Sequence, residues 1–211
     1  MAEAAKPAED EPTTNRYDAG RLLSIEECEA LEESTGERFE YDNGRLYAMA
    51  GARPDHIRIN VRLLELLSQL SEGSCEVRGN DGAVQVASNR YYYPDASLTC
   101  DEPVFNDQYR LTNPQVVFEI LSPTTHFRDR MEKLPNYLTM PSVNAVILVD
   151  SERYAVQIVA RNAAGEPVLS FCTSLAESFT VPILGGTIAM RDLYRDAKEI
   201  PEEGSEEYGG V

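Results

Sequence analysis

The sequence predicts an α/β (α+β) domain with a mixed central sheet flanked by helices and extra strands toward its C-terminal end. Two observations predict it. Apolar residues recur at helical spacing in one long stretch, residues 53–73, and a second helical stretch is expected over residues 126–140. Short β-branched and aromatic runs lie before, between and after those stretches. Helix, several strands, helix and more strands, in that order, give a sheet with helices packed on it.

The elements follow in chain order. "SIEECEALEES" opens with a capping box, Ser24 answered by Glu27, and predicts a short helix. "RFEYDNGRLYAMA" predicts a hairpin, because Asn43-Gly44 accepts the positive φ values of a type I′ turn. In "RPDHIRINVRLLELLSQLSEG" Ile57, Val61, Leu64 and Leu67 stand at helical spacing and Gly73 is a stop signal. "CEVRG", "AVQVA", "YYYPDASLT" and "PQVVFEIL" read as strands, the last two separated by a long segment at residues 101–113. A helix is expected across "HFRDRMEKLPNYLTM", with Pro135 kinking or restarting it through its missing backbone donor. "NAVILVD", "YAVQIVARN", "PVLSF", "FTVPI" and "GTIAM" supply the later strands.

A chain of 211 residues suits one domain with tails. The expected division is an acidic, disordered N-terminal tail over 1–17, the domain over 18–195 and an acidic flexible tail over 196–211. No run reaches the roughly 20 apolar residues that cross a bilayer, so no membrane partner is expected. The opening residues lack the apolar stretch of a secretory signal. Cys28, Cys75, Cys100 and Cys172 form no CxxC and read as reduced packing thiols, which fits a cytoplasmic location. The formal charge of −17 repels nucleic acid at long range. Any nucleic-acid contact must therefore come from a local basic patch or a bound cation, and a simple DNA-binding module is disfavoured.

Glu119 breaks the pattern of its strand. Val116, Val117, Phe118, Ile120 and Leu121 around it are what a strand covered on both faces looks like. A carboxylate there must be paired, hydrogen-bonded or on a metal. Asp95, in "YYYPDASLT", is the comparable oddity. Alternate strand residues share a face, so Asp95 and Glu119 can converge if their strands are neighbours. Two close carboxylates repel unless one is protonated or a cation sits between them. Hard oxygen donors of this kind suit Mg²⁺ or Mn²⁺, which can activate water and neutralise a phosphate.

The ordered set "FEYDNGRLYAMAGARPDHIRI", "YYYPDASLT", "VVFEILSPTT", "DRMEKLPNY", "AVILVD" and "GGTIAMRDLY" resembles the Uma family of restriction-endonuclease-like proteins, a branch of the PD-(D/E)XK nuclease superfamily. The resemblance spans roughly residues 24–195, and its most specific parts are Pro94-Asp95, "EILSPTT" and the Asp129, Lys133, Tyr137 run. It implies a restriction endonuclease-like core, with Asp95 and Glu119 as metal ligands and the Ile120 carbonyl as a third. The superfamily's usual lysine lies two residues after the second acid, where this chain has Leu121. Lys133, on the following helix, is then the implied lysine, and Glu40 a further ligand or base.

Plainer readings exist for each residue. Asp95 after Pro94 suits a turn, and Glu119 suits a structural ion pair with an arginine. Asp129 and Lys133 have the favourable i, i+4 order of a helix-face salt bridge. His56, which matches a family histidine, reads by itself as a packed or capping-region residue. Arg58 and Arg62 suit a solvated helix face. Strand packing accounts for at least two of Tyr91, Tyr92 and Tyr93, although tyrosines also stack on bases. Asp150 suits a turn start.

Two functions from different classes follow. One is a Mg²⁺-dependent endonuclease cleaving DNA, with Asp95 and Glu119 on the metal and Lys133 at the phosphate. The other is a nuclease-like scaffold without catalysis, a binding or regulatory module expected to form a homodimer. The Leu121 position and the acidic surface favour the second. A Ser/His hydrolase is disfavoured because the chain has no nucleophile-elbow pattern.

Overall fold

A helix, a hairpin and a six-stranded mixed sheet appear in a computed structural model that describes residues 21–49, 51–123 and 125–201. The tail expected at 1–17, and residues 202–211 of the other, lie outside the described residues. The chain divides into two compact units, 1–50 and 51–211.

In the first unit, α1 (Ile25–Thr35) starts as the capping box requires. The Ser24 hydroxyl accepts the Glu27 N–H at 3.2 Å and the Glu27 carboxylate accepts the Ser24 N–H at 2.8 Å. The hairpin pairs β1 (Phe39–Asp42) with β2 (Arg45–Ala48) around Asn43 and Gly44, at φ 50° and 90°. Both values lie in the left-handed region that the Asn-Gly pair tolerates best. Glu40 stands in β1 opposite Tyr47 and is buried.

The second unit opens with α2 (Pro54–Ser71), followed by β3 (Glu76–Gly79), β4 (Val84–Ala87), β5 (Arg90–Tyr92), β6 (Ala96–Thr99) and β7 (Val116–Leu121). A helical crossover then passes through α3 (His126–Arg128), a π-helical turn at Asp129–Lys133 and α4 (Leu134–Tyr137). Next come β8 (Ala145–Asp150), β9 (Val156–Arg161), β10 (Pro167–Cys172), β11 (Ser178–Thr180), β12 (Thr187–Ala189) and α5 (Met190–Leu193). The main sheet has the order β10-β9-β8-β7-β6-β3. β7 and β8 run parallel and the other pairs antiparallel, so the sheet is mixed. Val116, Phe118 and Ile120 pack with Ile59, Leu63 and Leu67 of α2. Val117 and Leu121 pack with Tyr137 and Met140 on the other face. β7 is thus covered on both sides, as its sequence requires.

Three local expectations change. The buried stripe of α2 is Ile59, Leu63 and Leu67, whereas Ile57 and Val61 are exposed. Both stripes have the helical period, and the sheet takes the one that Leu66 and Leu70 flank. "YYYPDASLT" is two strands, β5 and β6, in different sheets. Pro94 has no N–H to give a ladder and restricts the residue before it, so the strand breaks there. Cys75 and Cys100, expected as reduced thiols, form a disulfide. The β3–β6 register pairs Glu76 with Thr99, and the next pair outward is the two cysteines. Cys28 and Cys172 are buried free thiols.

Packing also continues past residue 195. The buried Asp55 carboxylate accepts the backbone N–H groups of Lys198 and Glu199, and Ile200 is buried. Arg58 pairs with Asp55, and Arg62 with Glu65 and the Asp192 carbonyl, so both arginines serve structural contacts. Among the described residues no helix is long and apolar enough to cross a membrane.

Candidate active site

The β6–β7 register sets Ala96 opposite Phe118, and one residue further it sets Asp95 opposite Glu119. Asp95 Oδ2 accepts the Ile120 N–H at 2.6 Å, which ties the aspartate to the residue beside Glu119. Its other oxygen, Oδ1, lies 3.4 Å from His56 Nε2 on α2.

Glu119 faces the helical crossover. Its Oε1 lies 2.7 Å from Lys133 Nζ and accepts the Tyr137 hydroxyl at 2.8 Å. Both charged side chains of the Glu119–Lys133 pair are 4% exposed. Lys133 Nζ also lies 3.5 Å from Asp129 Oδ1, so the i, i+4 pair forms alongside the contact with Glu119. The ammonium sits 5.6 Å from the centre of the Tyr92 ring, a cation–π distance. Tyr92 in turn meets Tyr137 edge-on at 5.5 Å and accepts a hydrogen bond from Asn136 at 2.7 Å. Tyr91 and Tyr92 are both buried, as strand packing implies.

Lys133 reaches Glu119 from the π-helical turn. Such turns rotate the side chains after them relative to an unbroken α-helix, and they recur at functional sites. Nothing in the sequence spacing signals that turn. The partner of Glu119 is a lysine, not the arginine of the plainer reading. Tyr137 and His56 contribute contacts that sequence reasoning assigned to neither. Tyr137 stands four residues after Lys133 and is the signal that could have found it.

Burial opposes the charged form of His56, but the hydrogen bond and charge of Asp95 outweigh it. The charge of Asp129 and a hydrogen bond to the Ile120 backbone add to them, and together they hold His56 above its ordinary value of 6.5. A raised folded value means that the contact stabilises fully below pH 6.5 and fades as pH rises through the folded value. In EDTA, the stability gap between the protein and His56→Gln therefore narrows as pH rises above 6.5 and through the folded value. Urea unfolding at a series of pH values measures that gap, and a gap that widens with pH contradicts the assignment.

Asp95, Glu119 and the Ile120 carbonyl are hard oxygen donors of the type Mg²⁺ selects. Among the described residues no group of three or more His, Cys, Asp or Glu side chains is gathered as a metal cage. Glu40 lies in β1 of the first unit, opposite Tyr47.

A family described as "Uma2: Putative restriction endonuclease" matches residues 25–191. "Uncharacterized protein slr1290" of Synechocystis sp. is 32% identical over 176 residues, covering 82% of this chain and 92% of its own length. "Uncharacterized protein sll1609" of the same organism is 30% identical over 141 residues, covering 65% and 80%. Among solved structures, that of "a putative nuclease belonging to DUF820" from Anabaena variabilis superposes with a TM-score of 0.67 at 15% identity, covering 82% of this chain and 98% of that one. At that identity the likeness is one of fold, a mixed sheet flanked by helices.

Proposed function

Because the chain belongs to the Uma2 family, we propose that it is a divalent-metal-dependent endonuclease that hydrolyses DNA phosphodiester bonds. What supports this reading is Lys133 Nζ at 2.7 Å from Glu119, on the strand whose Ile120 N–H donates to Asp95. Asp95, Glu119 and the Ile120 carbonyl would hold Mg²⁺ or Mn²⁺. Bound there, the ion supplies an activated water and neutralises charge on the phosphate.

The chain's own residues do the rest. The Ile120 N–H fixes Asp95, and the Tyr137 hydroxyl fixes Glu119. Lys133, buried and already charged against Glu119, orients the attacking water or offsets the charge that grows on the phosphate oxygens. Water oxygen bonds to phosphorus, the bond to the leaving sugar oxygen breaks, and that oxygen leaves with a proton. The proposal extends to Glu40 as a further ligand or base and to a homodimer, while the cytoplasmic location expected from reduced thiols loses that support with the Cys75–Cys100 disulfide.

Supercoiled plasmid incubated with the protein and Mg²⁺ or Mn²⁺ is expected to be nicked, and Asp95→Ala is expected to abolish nicking. No nicking, or nicking unchanged in Asp95→Ala, overturns the reading. A second reading, a scaffold without catalysis, is favoured by Leu121, buried at 2% where the superfamily's usual lysine would stand. Calorimetry that finds Mn²⁺ binding lost in Glu119→Ala counts against it.

A further inference from the structure

A cavity of about 410 Å³ opens at the carboxyl ends of β7 and β8, within the roughly 300–1,000 Å³ of small-ligand sites. Leu121, Ser122, Arg130, Arg153, Phe171 and Thr173 line it. In open α/β sheets, ligands collect where parallel strands end, and β7–β8 is the parallel pair of this sheet.

Its position relates it to the Glu119 cluster. Leu121 follows Glu119 by two residues on the same strand face, about 6.6 Å along β7. That is about the length of one nucleotide step in an extended strand. Arg130 precedes Lys133 by three residues on the same π-helical turn. A chain of nucleotides with one phosphate at Glu119 and Lys133 therefore has its next unit within reach of the cavity.

The chemistry fits a nucleotide. Asp150 Oδ2 lies 3.9 Å from Arg130 and 3.7 Å from Arg153, while Asp150 Oδ1 accepts the Glu152 N–H. One half-buried carboxylate thus stands between two guanidinium groups that are 40% and 61% exposed. Each guanidinium carries five N–H donors, so donors remain for a phosphate. Glu152, the other acid in the lining, is paired with Arg53 at 3.3 Å. Phe171, on the edge strand β10, is 57% exposed and offers an aromatic face beside those cations. Cations along a groove with an aromatic platform are the parts of a single-strand binding site. The two arginines are balanced by Asp150 and Glu152, so the lining offers exposed guanidinium donors and not a net positive patch.

We propose that this cavity is a nucleotide subsite, in which Phe171 stacks on a base and Arg130 and Arg153 hold the adjoining phosphate. The proposal rests on the nuclease reading for its place beside the cleaved bond, but its binding is measurable without metal. Fluorescence anisotropy of a labelled single-stranded DNA 12-mer, at low salt in EDTA, tests it on the full chain. Phe171→Ala and Arg153→Ala are each expected to weaken binding about tenfold or more, and Phe171→Tyr to bind as the unaltered chain does. A parallel titration with deoxyadenosine monophosphate separates the sources. Phe171-dependent binding of the mononucleotide alone assigns a free nucleotide as the ligand, and Phe171-dependent binding of the 12-mer assigns a strand. Affinity unchanged in Phe171→Ala and Arg153→Ala, or no binding of either probe, overturns the subsite. An uncut plasmid together with Phe171-dependent binding overturns the nuclease reading alone. A cut plasmid with binding indifferent to Phe171 overturns the subsite alone.

Discussion

Glu119→Ala is expected to cost the fold about 3 kcal/mol, the lower end of what breaking a buried ion pair costs. The substitution removes the carboxylate 2.7 Å from Lys133 and leaves the ammonium in a pocket where it is 4% exposed. Asp129, at 3.5 Å, and the Tyr92 ring, at 5.6 Å, keep part of the compensation and hold the loss below the upper end. The Tyr137 hydroxyl also loses its acceptor, worth about 1 kcal/mol. Glu119→Gln separates the two contributions, because the amide oxygen still accepts from Tyr137 but carries no charge. Urea unfolding of the three proteins in EDTA gives both differences. A loss below about 1 kcal/mol in Glu119→Ala would mean that the ammonium finds water once its partner is gone, and that the pair is not held by burial.

The elements written by local chemistry are legible in the sequence. Ser24 and Glu27 specify a helix start because both hydrogen bonds of the capping box close within one turn. Asn43-Gly44 specifies the hairpin because few other pairs accept two positive φ values. The charge in β7 was legible as an anomaly for the same reason. A strand buried on both faces leaves a carboxylate no solvent, so a partner had to exist.

What was not legible depends on partners distant in sequence. The phase of α2 is undecidable from its own residues, since Ile57-Val61 and Ile59-Leu63-Leu67 have the same period and only the sheet chooses between them. The disulfide needs the β3–β6 register, which a separation of 25 residues does not reveal. His56 meets Asp95 only because α2 and the start of β6 come together in the fold. The direction of Lys133 turns on the π-helical turn, and Pro135, two residues later, was a visible disturbance with no predictable sense of rotation.

Lys133→Met is expected to lower the plasmid-cleavage rate about 10²–10³-fold, the range for removing one preorganised donor from a reacting centre. Methionine matches the stem of lysine in length, but it leaves the Glu119 carboxylate buried without its cation at a cost of about 3 kcal/mol, so the rate is read at a temperature where circular dichroism reports an intact fold. The control for a purely structural lysine is Asp129→Asn, which removes the contact at 3.5 Å and leaves that at 2.7 Å. Cleavage that survives Asp129→Asn but not Lys133→Met ties the rate to the ammonium beside Glu119, and not to the salt bridge along the crossover. A fall of less than tenfold in Lys133→Met removes Lys133 from the chemistry. Adding Leu121→Lys to Lys133→Met then asks whether the position or the charge matters. Leu121 shares the strand face of Glu119 and lines the adjoining cavity, so a lysine there can bring its amine back to the carboxylate from the strand side. Recovery of at least tenfold in the double variant would show that the site requires a cation at Glu119 and that the fold can supply it from either element.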